Sequence, residues 1–241
     1  MKYAYVLIAA LVCVSAYLLF DNSDDSAAAG DDSGSCGTDV TYKFESSTET
    51  LTISGTGAMD NFKFSEHEYP YYYYDYPPWN SYMNSIKTII IDGSVTSIGY
   101  SAFYNCTSLK SISLTDTLES IGDYAFYGCT TLPTITMPDS VESLGSSAFY
   151  GCTSLTEITI PDSVKSLGSS VFNGCTSLTE ITIPDSVESL GSSAFNGCTS
   201  LATITLPNSL INIYSSAFSG CTSLTSITIP DSVESLGKYA F

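Results

Sequence analysis

Apolar residues recur through the second half of the chain at a fixed period of 23. Cysteine occupies six evenly spaced positions and phenylalanine seven: Cys106, Cys129, Cys152, Cys175, Cys198 and Cys221, and Phe103, Phe126, Phe149, Phe172, Phe195, Phe218 and Phe241. A period of this length is typical of a solenoid, in which each unit stacks on the next and equivalent residues become neighbours. We therefore predict a solenoid over residues 84–241, with six full repeats and a truncated seventh.

Within one repeat, apolar and polar residues alternate over a short stretch. In residues 176–198, Ile181 and Ile183 alternate with Glu180 and Thr182, and a Pro-Asp-Ser turn follows. Because side chains alternate across a strand, the isoleucines are expected to face inward and the polar residues outward. A second inward run follows the turn and ends at a glycine.

The end of each repeat is a more compact apolar group. Ala194, Phe195 and Cys198 are spaced for one helical or 3-10 turn. One repeat cannot bury its apolar side alone, whereas stacked coils can do so by pairing strands ~4.8 Å apart into parallel sheets. The predicted fold class is a β-rich solenoid.

The repeat pattern L-x-x-I-x-I-P-x-x-V-x-x-L-G-x-x-A-F-x-x-C resembles the BspA-like leucine-rich repeat family. This resemblance implies a right-handed leucine-rich repeat solenoid with a parallel sheet on its concave face and short helical or 3-10 turns opposite. It also implies a role at the cell surface in binding or adhesion.

Residues 36–83 lack the repeat and are predicted to form an amino-terminal β cap. Residues 40–44 and 50–53 alternate at period two, which predicts two strands separated by a turn. The wording CGTDVTYKF, ETLTISGTGAM and PPW resembles the module that often precedes the repeats in this family. Such a cap would cover the apolar end and open strand edges of the first coil.

A tyrosine-rich loop, YPYYYYDYPPW, lies within this cap at residues 69–79. Tyrosine and tryptophan offer amphipathic contact area, so the loop is a candidate contact for protein or glycan partners. The alternative is a loop folded over the end of the solenoid. The candidate contact residues are Tyr71, Tyr72, Tyr73, Tyr74 and Trp79.

The amino terminus predicts export. Lys2 precedes an apolar run, residues 3–20, which is typical either of a cleaved signal peptide or of an uncleaved signal anchor. Both place the bulk of the chain outside the cytosol. Residues 21–35 carry five aspartates among Ser, Ala and Gly, and are predicted to be an acidic disordered linker.

Composition and charge argue against several classes of partner and against enzymatic activity. The net charge is −18, with 25 acidic against 7 basic residues and no arginine. This charge argues against binding nucleic acid or anionic lipid, both of which require cations. The single histidine, His67, nearly excludes catalytic triads and histidine metal sites, so we predict neither enzymatic activity nor a cofactor or metal.

In a solenoid, equivalent outward residues of successive repeats would align into rows along its surface. Candidate binding residues on the concave sheet are Thr136, Glu157, Thr159, Glu180, Thr182, Thr203 and Thr205. This hydroxyl-rich surface would suit proteins or sugars, although threonine ladders also stabilise sheets by packing alone. The T-x-T pairs additionally resemble the rows of ice-binding solenoids, which the glutamates would disrupt.

Two further rows have alternative interpretations. One is the turn row of Asp116, Asp139, Asp162, Asp185, Asn208 and Asp231, which is explained by local turn bonds or by bridging calcium. The cysteine row is predicted to consist of buried free thiols, because parallel side chains of stacked coils hold the Cβ atoms too far apart for good disulfides.

The sequence thus predicts a secreted or cell-surface repeat protein that binds surface or extracellular proteins or glycans. The alternative is a structural wall or matrix component that assembles through open solenoid ends. The chain stops three residues before the next expected cysteine. We expect that it is a fragment or that a partner covers its last coil.

Overall fold

A computed structural model of the protein describes residues 31–62 and 75–241. These residues belong to one compact unit, Asp31–Phe241. The predicted signal segment, residues 21–30 of the linker, His67 and Tyr71–Tyr74 lie outside the described residues.

The described residues form fifteen short strands and one 3-10 helix. The strands are β1 (Asp32–Ser35), β2 (Val40–Glu45), β3 (Thr50–Ala58), β4 (Thr88–Ile91), β5 (Ser94–Ile98), β6 (Ser111–Ser113), β7 (Ser120–Ile121), β8 (Thr134–Thr136), β9 (Ser143–Leu144), β10 (Glu157–Thr159), β11 (Glu180–Thr182), β12 (Ser189–Leu190), β13 (Thr203–Thr205), β14 (Asn212–Ile213) and β15 (Ser235–Leu236), and the helix is Asn80–Tyr82.

The first three strands form an antiparallel cap. Strand β2 is central and pairs with β1 on one side and β3 on the other, with Tyr42 opposite both Gly34 and Ile53. The inward residues Val40, Tyr42 and Phe44 are buried, as the period-two alternation predicted.

Strand β3 joins this cap to the first coil along two lines. Its first half pairs in parallel with β4 and its second half pairs in parallel with β5. Gly55 lies between the halves at φ +131°, where an added Cβ would meet the carbonyl oxygen of Asp39 at 2.0 Å. Glycine is required at this crossing, which lets one nine-residue strand cover both open edges of the first coil.

The predicted linker of residues 21–35 was too long, because Asp32–Ser35 forms strand β1. Asp32 accepts a 3.1 Å hydrogen bond from the Tyr42 hydroxyl, and Asp31 accepts one of 3.1 Å from the backbone N–H of Ser46. An edge strand of small polar residues carries no apolar alternation. Composition alone therefore could not distinguish it from the linker.

Successive coils pair in parallel at a register of 23 residues. Thr88 pairs with Ser111 in the first ladder, and Ser97 pairs with Ser120 in the second. The second ladder continues through β7, β9, β12, β14 and β15, with Leu144, Leu167 and Leu190 bridged in sequence. Stacked 23-residue coils are thereby confirmed.

A column of phenylalanine rings runs along the interior. Rings of adjacent coils from Phe103 to Phe241 stack with centroids 5.4–5.7 Å apart and planes within 26° of each other. Trp79 extends the column into the cap, with its ring 5.7 Å from that of Phe103. The column, with the alanines, cysteines and leucines packed around it, is the hydrophobic core.

The third side of each coil is a series of turns, where the sequence predicted a helical or 3-10 turn. Ala194 and Cys198 donate to carbonyls three residues earlier in their own coil, whereas Phe195 donates to Ala217 of the next coil at 2.8 Å. Ser193 has a positive φ of 57°, which turns the next peptide group around. As a result, successive backbone N–H groups donate alternately within the coil and to the next coil. Because half of these bonds leave the coil, no regular helix forms here.

The cysteine row is buried, and five of its six thiols have an acceptor. The Sγ of Cys129, Cys152, Cys175, Cys198 and Cys221 each lies 3.1–3.2 Å from the carbonyl oxygen of a phenylalanine 26 residues earlier. All six thiols of the row are free. They act as small apolar residues that also bind the turn backbone.

Because the cysteine row is buried, we expect its thiols to be unreactive in the folded protein. We also expect them to make the stability of the protein depend on pH. It raises the pKa of Cys106 and of Cys152 from an ordinary 9.0 to about 12. Between these values the folded state holds protons that the unfolded state has released, so the free energy of unfolding should fall as pH rises above 9. We expect the thiols of the row to resist labelling by dithiobis(nitrobenzoate) at pH 8 until denaturant is added.

The variant Cys152→Ala is the matched control for the pH effect. Removing one such thiol should reduce the slope of unfolding free energy against pH between 9 and 11. An unchanged slope, or rapid labelling of the native protein, would contradict the assignment of the row as buried thiols with a raised pKa.

Candidate binding surface

The outward residues of the first ladder form a continuous polar surface, which we call the threonine face. It comprises Thr134, Thr136, Glu157, Thr159, Glu180, Thr182, Thr203 and Thr205, all of which are exposed. The seven candidate residues predicted on the concave sheet all belong to it. Strands β8, β10, β11 and β13 bring them together.

Strand alternation fixes this orientation. Ile135, Ile158 and Ile181 point inward and are buried, so their neighbours on each strand point outward. The strands are held by the packed core beneath them, so the backbone positions that carry the hydroxyls and carboxylates are fixed before any partner binds.

The polar groups of the threonine face are not used within the fold. None of its side chains forms a hydrogen bond to another part of residues 31–62 and 75–241. Threonines just outside it behave differently: the Oγ1 of Thr131 donates to Leu109 at 2.8 Å and that of Thr156 donates to Pro133 at 3.2 Å. The face therefore offers donors and acceptors that remain available to a ligand.

The ladder is interrupted at the centre of this face. Strand β10 pairs with β8 and β11 pairs with β13, but β10 and β11 belong to separate sheets. Glu157 and Glu180 are equivalent residues on either side of this step. Strands β6 and β8, which carry no glutamate, are separated in the same way, so the interruption does not require like charges.

A groove lies at the interruption, which we call the acidic groove. It has a volume of about 420 Å³ and is lined by Glu157, Thr159, Asp162, Glu180, Thr182, Thr203 and Thr205, with Ile158, Ile160, Ile181 and Pro184 beneath. The three ion pairs among the described residues, Lys43–Glu45, Lys87–Glu49 and Lys165–Glu142, lie elsewhere. The groove thus combines uncompensated negative charge, hydroxyls and a small apolar floor.

Trp79 was wrong as a candidate loop contact, because its side chain is completely buried. Its Nε1–H donates a 2.9 Å hydrogen bond to the carbonyl oxygen of Ala102, and its ring contacts Tyr42, Phe62 and Phe103. A buried indole needs a partner for its N–H, and the backbone of the first coil supplies one. Trp79 therefore joins the cap to the solenoid and cannot contact a ligand.

A second surface, which the outward rows of the sequence did not predict, lies on another side of the coils, and we call it the tyrosine patch. It consists of Tyr100, Tyr104, Tyr124, Tyr127 and Tyr150 on the turn side of the first three coils, and all five are partly exposed. Tyr104, Tyr127 and Tyr150 recur at the 23-residue period, so a reading of the turn rows for aromatic residues would have found it.

The described residues contain neither a metal-binding cluster nor a membrane-spanning helix. No group of three or more His, Cys, Asp or Glu side chains among residues 31–62 and 75–241 is placed to hold a metal ion. In that same part of the chain, no helix has the length and hydrophobicity needed to cross a membrane.

Known proteins share this architecture. A family model described as the BspA-type leucine-rich repeat region matches in six copies, over residues 80–184 and 165–241. The chain belongs to the BspA-type leucine-rich repeat family. Repeat proteins of this kind typically bind other proteins and generally lack catalytic activity.

Two solved leucine-rich repeat proteins resemble the chain in fold. The leucine-rich repeat protein TpLRR of T. pallidum is 29% identical, with 81% of this chain and 82% of that chain aligned at a TM-score of 0.60. A leucine-rich repeat protein of Bacteroides ovatus is 26% identical, with 83% of this chain and 60% of that chain aligned at a TM-score of 0.55. No curated protein matches the chain in sequence.

Proposed function

We propose that this BspA-type chain is a non-catalytic, secreted or cell-surface binding protein that takes a protein or glycan partner on its threonine face. The observation that carries the proposal is that the face presents exposed polar groups on paired strands, and these groups form no bond within the described fold. The backbone of the strands is already fixed, so a partner has to order only the side chains when it binds.

The acidic groove is the natural centre of the contact. It is the point of the face where the ladder separates, and none of its carboxylates forms an ion pair within the described chain. A basic side chain of a protein, or a sugar rich in hydroxyls, would satisfy these groups. The net charge of −18 supports the same class of partner, because it favours basic or neutral surfaces over anionic ones.

Charge reversal in the groove tests this function. The full chain would be screened against purified extracellular proteins and a glycan array, and affinities would be measured for each hit. We expect the double variant Glu157→Lys, Glu180→Lys to bind at least about tenfold more weakly, since like charges at a contact are strongly unfavourable.

A matched control carries the same charge change on another side. Glu119 and Glu188 are exposed residues outside the threonine face, so Glu119→Lys, Glu188→Lys should leave affinity nearly unchanged. Equal loss in both double variants would indicate a general charge effect and contradict a site at the groove. Failure of every hit to respond to the groove variant would also contradict it.

Location is tested separately from binding. The mass of the mature protein would show whether residues before the linker are removed, and protease treatment of intact cells would show whether the repeats are accessible. Recovery of an unprocessed chain protected inside cells would overturn the proposed location.

A further inference from the structure

The first coil of the solenoid carries a candidate modification site that the later coils lack. Asn105-Cys106-Thr107 is the one Asn-X-Ser/Thr triplet of the sequence, and its middle residue is not proline. Such a triplet is the acceptor for N-linked glycosylation in secreted proteins. The equivalent triplets of the next five coils all read Gly-Cys-Thr, and they begin at Gly128, Gly151, Gly174, Gly197 and Gly220.

The fold does not need an asparagine at this position. Asn105 has φ 55°, and the five equivalent glycines have φ 69–77°, so the position lies in the left-handed region in every coil. The backbone N–H of Asn105 donates to Tyr127 at 2.7 Å, and that of Gly128 donates to Tyr150 at the same distance. Glycine, the residue that adopts this conformation most readily, therefore closes the same turn. Asparagine is among the few other residues that tolerate it.

The side chain of Asn105 is exposed and is not used within the fold. Among residues 31–62 and 75–241 its amide forms no hydrogen bond. Two other asparagines behave differently, because the amide oxygen of Asn61 accepts a bond from the N–H of Tyr100 at 2.8 Å and that of Asn84 accepts one from the Thr107 hydroxyl at 3.2 Å. A sugar on the Asn105 nitrogen would thus break no bond that stabilises the coil.

The surface on one side of Asn105 is bare backbone. An added Cβ at Gly128 would meet the Oδ1 of Asn105 at 2.1 Å, so the amide lies over the glycine of the next coil. Beyond it, an added Cβ at Gly151 would meet only backbone atoms of Gly128 within 4 Å. In this direction a sugar would displace no side chain.

The order of folding keeps the triplet accessible during export. The N–H of Asn105 donates to the carbonyl of Tyr127, which lies in the next coil. Because a coil in a repeat array is stabilised by its neighbours, this turn cannot close before the second coil has followed the first. A transferase can therefore reach the triplet in the extended chain.

We propose that Asn105 is modified by an N-linked glycan, transferred from an oligosaccharide carried on a polyprenyl diphosphate. In the transfer, the amide nitrogen of Asn105 forms a bond to C1 of the first sugar and loses a proton. The bond from C1 to the diphosphate oxygen breaks, and the diphosphate leaves with the electron pair. This inference rests on the proposed location outside the cytosol, since the acceptor triplet is used in secreted chains.

The glycan is separate from the proposed binding surface. Asn105 lies on the turn side of the first coil, whereas the threonine face lies on the first ladder of later coils. The modification therefore leaves the threonine face open and adds a bulky, soluble group over the turns.

Expression of the full chain in eukaryotic secretory cells tests the proposal. A cleavable secretion signal placed before the full chain delivers it to the transferase, while the chain with its native amino terminus, expressed in parallel, reports on the proposed location. The two can thus fail separately. We expect the secreted protein to be heavier by one oligosaccharide, and peptide N-glycosidase should remove the extra mass.

Three variants of the triplet identify the acceptor. Asn105→Gln and Thr107→Ala should each abolish the extra mass, because the triplet requires both the asparagine amide and a hydroxyl two residues later. Thr107→Ser keeps the hydroxyl and should retain the glycan. Asn196→Gln, at an asparagine of a later coil outside any such triplet, should leave the mass shift unchanged.

Gly197→Asn transplants the acceptor into a later coil. The substituted residue precedes Cys198 and Thr199, and an added Cβ there would meet only the backbone of Gly174, at 3.8 Å. Its φ of 72° is in the region that asparagine tolerates. We expect this variant to carry two glycans.

Three results would overturn the proposal. These are a secreted chain without extra mass, extra mass that resists peptide N-glycosidase, and extra mass that persists in Asn105→Gln. A glycan gained in Gly197→Asn with none at Asn105 would also overturn it, because the cells would then accept the repeat triplet elsewhere but not in the first coil.

Discussion

Replacement of Phe172 by alanine should lower the free energy of unfolding by about 3–5 kcal/mol, as deletion of a fully buried aromatic ring does. Phe172 lies in the middle of the phenylalanine column, 5.6 Å from the ring of Phe149 and 5.5 Å from that of Phe195. The cavity cannot collapse easily, because the backbone of Phe172 is fixed by a 2.9 Å bond to Ala194 in the next coil. Urea denaturation of the variant would measure the loss.

Two companion variants separate packing from position in the coil. Phe172→Leu should recover part of the loss, because it refills some of the volume. Thr182→Val, at an exposed position of the threonine face, should change stability by no more than about 0.5 kcal/mol. Similar losses from Phe172→Ala and Thr182→Val would show that the inward and outward residues have been assigned wrongly.

The solenoid could be predicted from sequence because a single period determines which residues are neighbours in adjacent coils. Once 23 residues return the chain to the same place, Ile181 must lie beside Ile204, and their inward direction follows from alternation. The outward rows follow by the same logic, so all seven predicted residues of the threonine face were brought together.

The acidic groove could not be predicted in this way. The period makes every step of the ladder equivalent, whereas the structure separates β6 from β8 and β10 from β11 and pairs the steps between them. The glutamates were visible in the sequence, but the groove depends on where along the ladder two coils are left unpaired. Only the structure shows that local departure from the repeat.

Residues without repeats were predicted less well. The edge strand β1 has no apolar face, so no pattern distinguished it from a linker. The tryptophan of the tyrosine-rich segment was grouped with its aromatic neighbours, although its burial depends on contacts with Phe103 and Ala102, which are 23 or more residues away. Such long-range contacts leave no local signal where the repeat is absent.

Replacement of Trp79 by alanine should cost about 3–5 kcal/mol and should loosen the cap before the coils. The indole contacts Tyr42 and Phe62 of the cap on one side and Phe103 of the first coil on the other, with centroids 5.4, 5.5 and 5.7 Å away. Its removal would open a cavity where the two parts meet. Hydrogen exchange should therefore accelerate most in β2, β3 and β4, and least in β11 and β13.

Trp79→Phe distinguishes the two contributions of this side chain. Phenylalanine retains much of the ring packing but cannot donate to the Ala102 carbonyl, so a buried acceptor loses its partner at a cost of about 1–3 kcal/mol. A loss smaller than that of Trp79→Ala, with the same order of exchange along the chain, would assign the remainder to packing. In a stacked array each coil is stabilised chiefly by its neighbours, so the effect of Trp79→Ala should fade along the chain. Uniform acceleration across all coils would instead mean that cap and solenoid unfold as one unit.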